Sequence, residues 1–176
     1  MAAAGPADEL AALVVLAGRI QAHFVEHGLT LSTAESCTGG LVGHILTEVS
    51  GSSDYYLGGV VSYSNQLKMS ELDVGVDTLE QHGAVSAQAC VAMAEGARRR
   101  HRSSVALAVT GIAGPRGGSA AKPVGLTYVG VADETGHDVR RFTWHGDRPA
   151  NKIASARAAL GLVAERVGLG TEAGAG

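Results

Sequence analysis

The sequence predicts a three-layer α/β/α sandwich built on a mixed β-sheet. Helical stretches with one apolar face alternate with short strand-like runs over most of the chain. The run "SVALAVTG" is apolar almost throughout, as a strand covered on both faces requires. Near the end, "VGLTYVGVAD" and "HDVRRFTWHG" read as paired strands around a turn at residues 134–136, which adds an antiparallel hairpin to the alternating pattern.

Residues 8–27 form the first expected helix, with Leu10, Leu13, Val14, Ala17, Ile20 and Phe24 on one face and Gly28 as its stop. A short strand, Leu29 to Thr33, and a turn follow. "TGGLVGHILTEVS" reads as a helix broken at Gly51, and "YYLGGVVSYS" as the second strand. "NQLKMSELDV" and "VDTLEQHG" are short helical pieces. "VSAQACVAMAEGARRR" is a longer helix capped by Ser86 and stapled by Val85, with Cys90, Met93, Ala94 and Ala97 inward. After "SVALAVTG" comes a glycine- and proline-rich loop, "GIAGPRGGSAAKP". The hairpin then leads to a last helix capped by Asp147, with Ile153, Ala156, Leu160, Val163 and Val167 in one stripe. The absence of repeats and linkers predicts one domain over 1–176, ordered from about 8 to 168 with flexible ends.

Composition narrows the function. Of 176 residues, 45% are hydrophobic and 18% charged, and the net charge of −3 provides no field to recruit nucleic acid or anionic membrane. The one basic run, "RRRHR" at 98–102, falls where a helix ends and cations suit the dipole. The two cysteines, Cys37 and Cys90, lack the spacing of a zinc site or a disulfide scaffold. No run approaches the ~20 apolar residues of a membrane span. A cytoplasmic protein is expected.

The chemistry-bearing stretches lie at strand exits. "TAESCTGG" joins a strand to a helix, and Ser36, Cys37, Thr38, Gly39 and Gly40 there could hold an anion on free helix amides. Cys37 also invites a thiol-nucleophile reading. "TGIAGPRGG" supplies a second exit, with Thr110, Gly111, Ala113 and Gly114 as ligand-binding candidates. Between them, "GSSDYYLGGVVSYSNQLK" carries Ser52 and Ser53 in a break and Tyr63 and Lys68 beyond the next strand, with no histidine. A lysine can act as a base there only if burial or a nearby positive charge lowers its pKa. Arg148, in the first turn of the last helix, runs against the dipole preference and points to an anionic partner.

Taken in order, "TAESCTGG", "GSS", "VSYSNQLK", "HGAVS", "TGIAGPRGG", "KPVG" and "GDR" resemble the C-terminal domain of the competence/damage-inducible CinA proteins. The resemblance runs from about residue 10 to 165. It implies the family's stand-alone activity, hydrolysis of the carboxamide of nicotinamide mononucleotide to nicotinate mononucleotide and ammonia. The additional N-terminal nucleotide-processing domain of the larger relatives is not expected here. By motif the resemblance assigns the family's serine, tyrosine and lysine to Ser53, Tyr63 and Lys68. Arg116 departs from the pattern, where an acidic residue is common.

The expected mechanism has neutral Lys68 deprotonating Ser53, with Tyr63 relaying or orienting the proton. The substrate phosphate would rest on helix amides with Ser36 or Thr38, assisted by Arg148. The resemblance implies no metal or organic cofactor; no nucleic-acid or membrane partner is expected, and a homodimer or higher homo-oligomer is. A nucleotide-binding module without catalysis is the alternative from another class.

Overall fold

The computed structural model describes residues 5–170. Of the ends expected to be flexible, 1–7 and 169–176, residues 1–4 and 171–176 lie outside the described residues, and Pro6 and Ala7 already belong to the first helix. Among the described residues, one five-stranded sheet has the order β2-β1-β3-β4-β5. Strands β1 (Leu31–Glu35), β2 (Tyr56–Val61) and β3 (Val105–Gly111) run parallel. β4 (Leu126–Asp133) and β5 (Gly136–Thr143) add the predicted antiparallel hairpin.

Two cores flank the sheet. Helices α1 (Pro6–Glu26), α2 (Leu41–Thr47) and α6 (Arg148–Arg166) cover one face, packing Phe24, Ile45 and Leu160 against Leu31, Leu107 and Val129. On the other, α5 (Ala87–His101) packs Cys90, Met93 and Ala97 against Ala34, Ala106 and Ala108, with Leu72 and Leu79 from α3 (Asn65–Leu72) and α4 (Val76–His82). The α/β/α sandwich and mixed sheet follow the prediction. β1 and β3 are covered on both faces, which is why their residues are buried without alternation.

Two boundaries move for local reasons. β1 starts at Leu31 rather than Leu29, because the end of α1 captures the intervening residues. Gly28, at φ +63°, donates to Val25 O and Leu29 donates to Phe24 O, a Schellman closure. α2 starts at Leu41 rather than Thr38, because Thr38, Gly39 and Gly40 form a turn with both glycines at positive φ. The caps Ser64, Ser86 and Asp147 each accept an amide hydrogen bond at the start of α3, α5 and α6.

The topology creates a crevice. The chain leaves β1 toward β2 on one side and leaves β3 toward β4 on the other, so two connections diverge at the carboxyl ends of adjacent strands. Open α/β sheets bind ligands at such a switch point. α3 reaches the rim because Gly96 of α5 has no Cβ. A Cβ at that position would run into the Leu72 carbonyl oxygen.

Candidate functional site

Ser36 follows directly on β1. Its amide donates to Val109 O at 2.9 Å, so its backbone still belongs to the sheet while its side chain enters the crevice. Lys68 sits one turn into α3 and is 1% exposed. Its Nζ donates to Ser36 Oγ at 3.1 Å and to Ser62 O at 2.7 Å. Burial pushes the Lys68 pKa below its ordinary value, with Cys37 beside it opposing that shift in part. No carboxylate lines the crevice to hold the amine charged. A neutral amine here can accept the Ser36 hydroxyl proton, which is the requirement for an activated serine.

The crevice encloses about 260 Å³ and is lined by residues of both exits, among them Ser36, Cys37, Tyr63, Lys68, Gly111 and Arg148. A larger cavity of about 560 Å³, lined by His23, His27, Asp133 and Arg166, includes none of these residues. Its Arg166 and Asp133 are already engaged with each other, Arg166 Nε donating to Asp133 at 2.7 Å. The chemistry belongs with the smaller cleft.

The expected pairing of Ser53 with Lys68 does not form. Ser53 lies in a 3₁₀ turn, Ser52–Asp54, before β2, and Lys68 lies after that strand. Six strand residues separate the two ends, about 20 Å at the rise of an extended chain. Ser53 is exposed and does not line the crevice. Ser36, expected only as a binding residue, occupies the position beside the lysine.

The expected anion seat on α2 is also corrected. Glu35 accepts the amides of Gly40, Val42 and Gly43 at 3.0, 3.1 and 2.8 Å, so a buried carboxylate already fills that helix end. A phosphate there would meet a like charge and find the amides of Gly40, Val42 and Gly43 already taken. Thr38, Gly39 and Gly40 are absent from the crevice lining, and Thr38 Oγ1 is buried without a partner among the described residues. Cys37 does line the crevice, but burial pushes its thiol up to about 12, far from the thiolate a nucleophile needs.

Tyr63 reaches the crevice mouth and is 59% exposed. Its hydroxyl accepts from Arg148 Nη2 at 3.0 Å, while Arg148 Nη1 donates to Gly114 O at 2.8 Å. Arg148 therefore ties the segment after β2 to the loop after β3 through two neutral acceptors. Thr110 Oγ1 donates to Ala84 O at 2.7 Å and ties β3 to the segment before α5. Gly111, Ala113 and Gly114 line the crevice as expected, together with Arg116. Asn151, not singled out from sequence, is buried; it donates to Ala113 O at 3.0 Å and accepts from Gly146 N at 3.0 Å, fixing that loop on α6. Its position one turn after a capped helix start is the only hint that the sequence gives.

Divergent strand exits with a buried serine–lysine pair between them define an α/β protein whose candidate site lies at a switch point of the sheet. The comparisons give the family. The profile of the CinA C-terminal domain matches residues 14–167, and the chain belongs to that family. It is 49% identical over 144 residues to a CinA-like protein of Geotalea uraniireducens, covering 82% of this chain and 34% of the relative. It is 51% identical over 131 residues to a CinA-like protein of Salinibacter ruber, covering 74% of this chain and 32% of the relative. The chain thus spans about a third of the length of these curated relatives. Among solved structures, the competence/damage inducible protein CihA of Agrobacterium tumefaciens is similar at TM-score 0.83 and 43% identity, covering 89% of this chain and 95% of that one. The competence damage-inducible protein A (ComA) of Klebsiella pneumoniae reaches TM-score 0.86 at 29% identity, covering 89% and 97%. Among the described residues, no helix is long and apolar enough to cross a membrane, and no group of three or more His, Cys, Asp or Glu side chains could hold a metal ion.

Proposed function

We propose that the protein is an amidohydrolase that converts nicotinamide mononucleotide to nicotinate mononucleotide and ammonia, with Ser36 as nucleophile and Lys68 as base. The observation that carries this reading is the 3.1 Å contact between the buried Lys68 Nζ and Ser36 Oγ. The choice of substrate rests on what the resemblance to the CinA C-terminal domain implies.

Ser36 Oγ attacks the carboxamide carbon as its proton passes to Lys68. The tetrahedral intermediate collapses when Lys68 returns that proton to the leaving nitrogen, releasing ammonia and leaving a nicotinoyl ester on Ser36. Water then loses a proton to Lys68 and cleaves the ester. The pyridinium ring helps in two ways: its fixed charge keeps the resting amine neutral, and it withdraws electrons from the carbonyl under attack. Backbone amides of the two loop exits are the donors available to the developing oxyanion. With α2 closed by Glu35, the phosphate is directed to Arg148 and Arg116 at the mouth, where Tyr63 orients Arg148.

The two free cysteines accord with a cytoplasmic setting. Exposed Leu57, Val61, Leu67 and Met69 on and after β2 support a homodimer, which sedimentation would test. The deciding experiment incubates the protein with nicotinamide mononucleotide and follows free ammonia together with the mass of the nucleotide product. Tight nucleotide binding without ammonia would favour a non-catalytic nucleotide-binding module instead.

A further inference from the structure

We infer that Glu35 is a positioning residue that sets Ser36 against Lys68; this rests on the serine–lysine reading above. Helix α2 begins at Gly40, which has no side chain to cap it and sits at φ +97°. Its first-turn amides still need acceptors. Glu35, the last residue of β1, supplies them from five positions upstream. One carboxylate oxygen takes Gly40 N and Val42 N, and the other takes Gly43 N.

The turn 36–40 is thereby closed at both ends. Ser36 N is held by Val109 O on the strand side, and Gly40 N by Glu35 on the helix side. Ser36 Oγ has little freedom left within that loop. The backbone of Glu35 reaches the other partner. Its carbonyl accepts from Ser62 N at 2.8 Å, and the Ser62 carbonyl in turn accepts from Lys68 Nζ. One residue thus fixes the serine through its side chain and the lysine's anchor through its main chain. Glu35 is 2% exposed and does not line the crevice, so it acts through Ser36 rather than on a ligand.

The test compares Glu35→Gln, which keeps one carbonyl acceptor, with Glu35→Leu, which keeps none. Three readouts are taken: steady-state kinetics, labelling of Ser36 by a fluorophosphonate read by intact mass, and the crystal structure of the Gln variant. The expected result is an unchanged KM, with kcat and labelling rate falling together by about 100-fold in Glu35→Leu and less in Glu35→Gln, as misplacement of a reacting atom by an ångström predicts. Native labelling and kcat retained in both variants would overturn the proposal, as would a loss confined to KM. If the native protein neither releases ammonia nor labels, the Ser36–Lys68 reading fails on its own account. The variant structure then decides, and a Ser36–Lys68 separation unchanged from the native one would overturn the role given to Glu35.

Discussion

Lys68 Nζ and Ser36 Oγ stand 3.1 Å apart although 32 positions separate the residues in sequence. The sheet makes the contact: β1 delivers Ser36 to its carboxyl end, parallel β2 ends beside it, and α3 folds Lys68 back over the gap.

The first prediction separates the two serines. Ser36→Ala is expected to lower kcat by at least about 10³-fold with nucleotide binding retained, as removal of a covalent nucleophile does. Ser53→Ala is expected to leave kcat and KM within about twofold, because an exposed turn residue distant from the site changes little. Ammonia release from the two purified variants checks both, and the opposite order would return the nucleophile to Ser53.

Lys68 gives a pH dependence with a defined sign. Only the neutral amine can act as base, so kcat/KM should rise with pH along a limb whose midpoint lies below the ordinary lysine value, because burial lowers the folded-state pKa. Stability follows the same group. The unfolded chain holds the proton more tightly than the folded one, so stability increases as pH rises from the folded-state pKa toward the unfolded value. Lys68→Met should abolish turnover at neutral pH and raise the melting temperature below the folded-state pKa, where the buried charge is costly. Melting curves across pH for both proteins check this, and an unchanged pH slope would mean that the lysine is not the titrating group.

Cys37 should prove dispensable as a chemical group. Its thiol is buried beside the serine and pushed up to about 12, so it carries almost no thiolate at neutral pH. Cys37→Ala is expected to keep kcat within about tenfold, the loss reflecting packing rather than chemistry. A mild alkylating reagent should react slowly with the native fold. Complete loss of activity in the alanine variant would revive the thiol mechanism.

The fold was legible in the sequence because its signals are local. Alternating apolar periods, the caps Ser86 and Asp147 and the apolar run of β3 fall where predicted. Of the residues expected at the site, Ser36, Cys37, Tyr63, Lys68, Thr110, Gly111, Ala113, Gly114 and Arg148 line one crevice, while Thr38, Gly39, Gly40 and Ser53 do not. The serine was misplaced because side-chain proximity depends on strand direction. Ser53 is nearer to Lys68 along the chain, but β2 carries the chain away from Ser53 before Lys68 is reached, while β1 brings the earlier Ser36 to the same end. Glu35 was invisible for a similar reason. A carboxylate ahead of a helix reads as an ordinary strand end, and only the three-dimensional path shows it capping a helix whose own cap is glycine.

Arg148 tests where the phosphate goes. It bridges Tyr63 and Gly114 through neutral acceptors, so its charge is available at the crevice mouth. Arg148→Met should raise KM for the mononucleotide by about 10- to 100-fold, the usual size of a lost charge-assisted contact. It should affect the phosphate-free riboside much less. Tyr63→Phe should show a smaller KM effect, since the ring remains and only the orienting hydroxyl is lost. Equal losses on nucleotide and riboside would place Arg148 in the chemistry rather than in phosphate recognition.

Gly96 links the distant core to the site. A Cβ there would strike the Leu72 carbonyl oxygen at the end of α3, and backbone cannot yield as a flexible side chain can. Gly96→Ala is therefore expected to cost about 1–3 kcal/mol as an overpacked contact, despite alanine's better helix propensity. The strain pushes α3 off α5, and α3 carries Lys68 only one turn from Leu72. Turnover should fall further than the fraction unfolded accounts for, while the phosphate contact at Arg148, on the opposite layer, keeps KM near its native value. Denaturant melts alongside kinetics at low temperature would separate the two effects. A destabilised variant with full kcat would show that α3 tilts without moving the lysine.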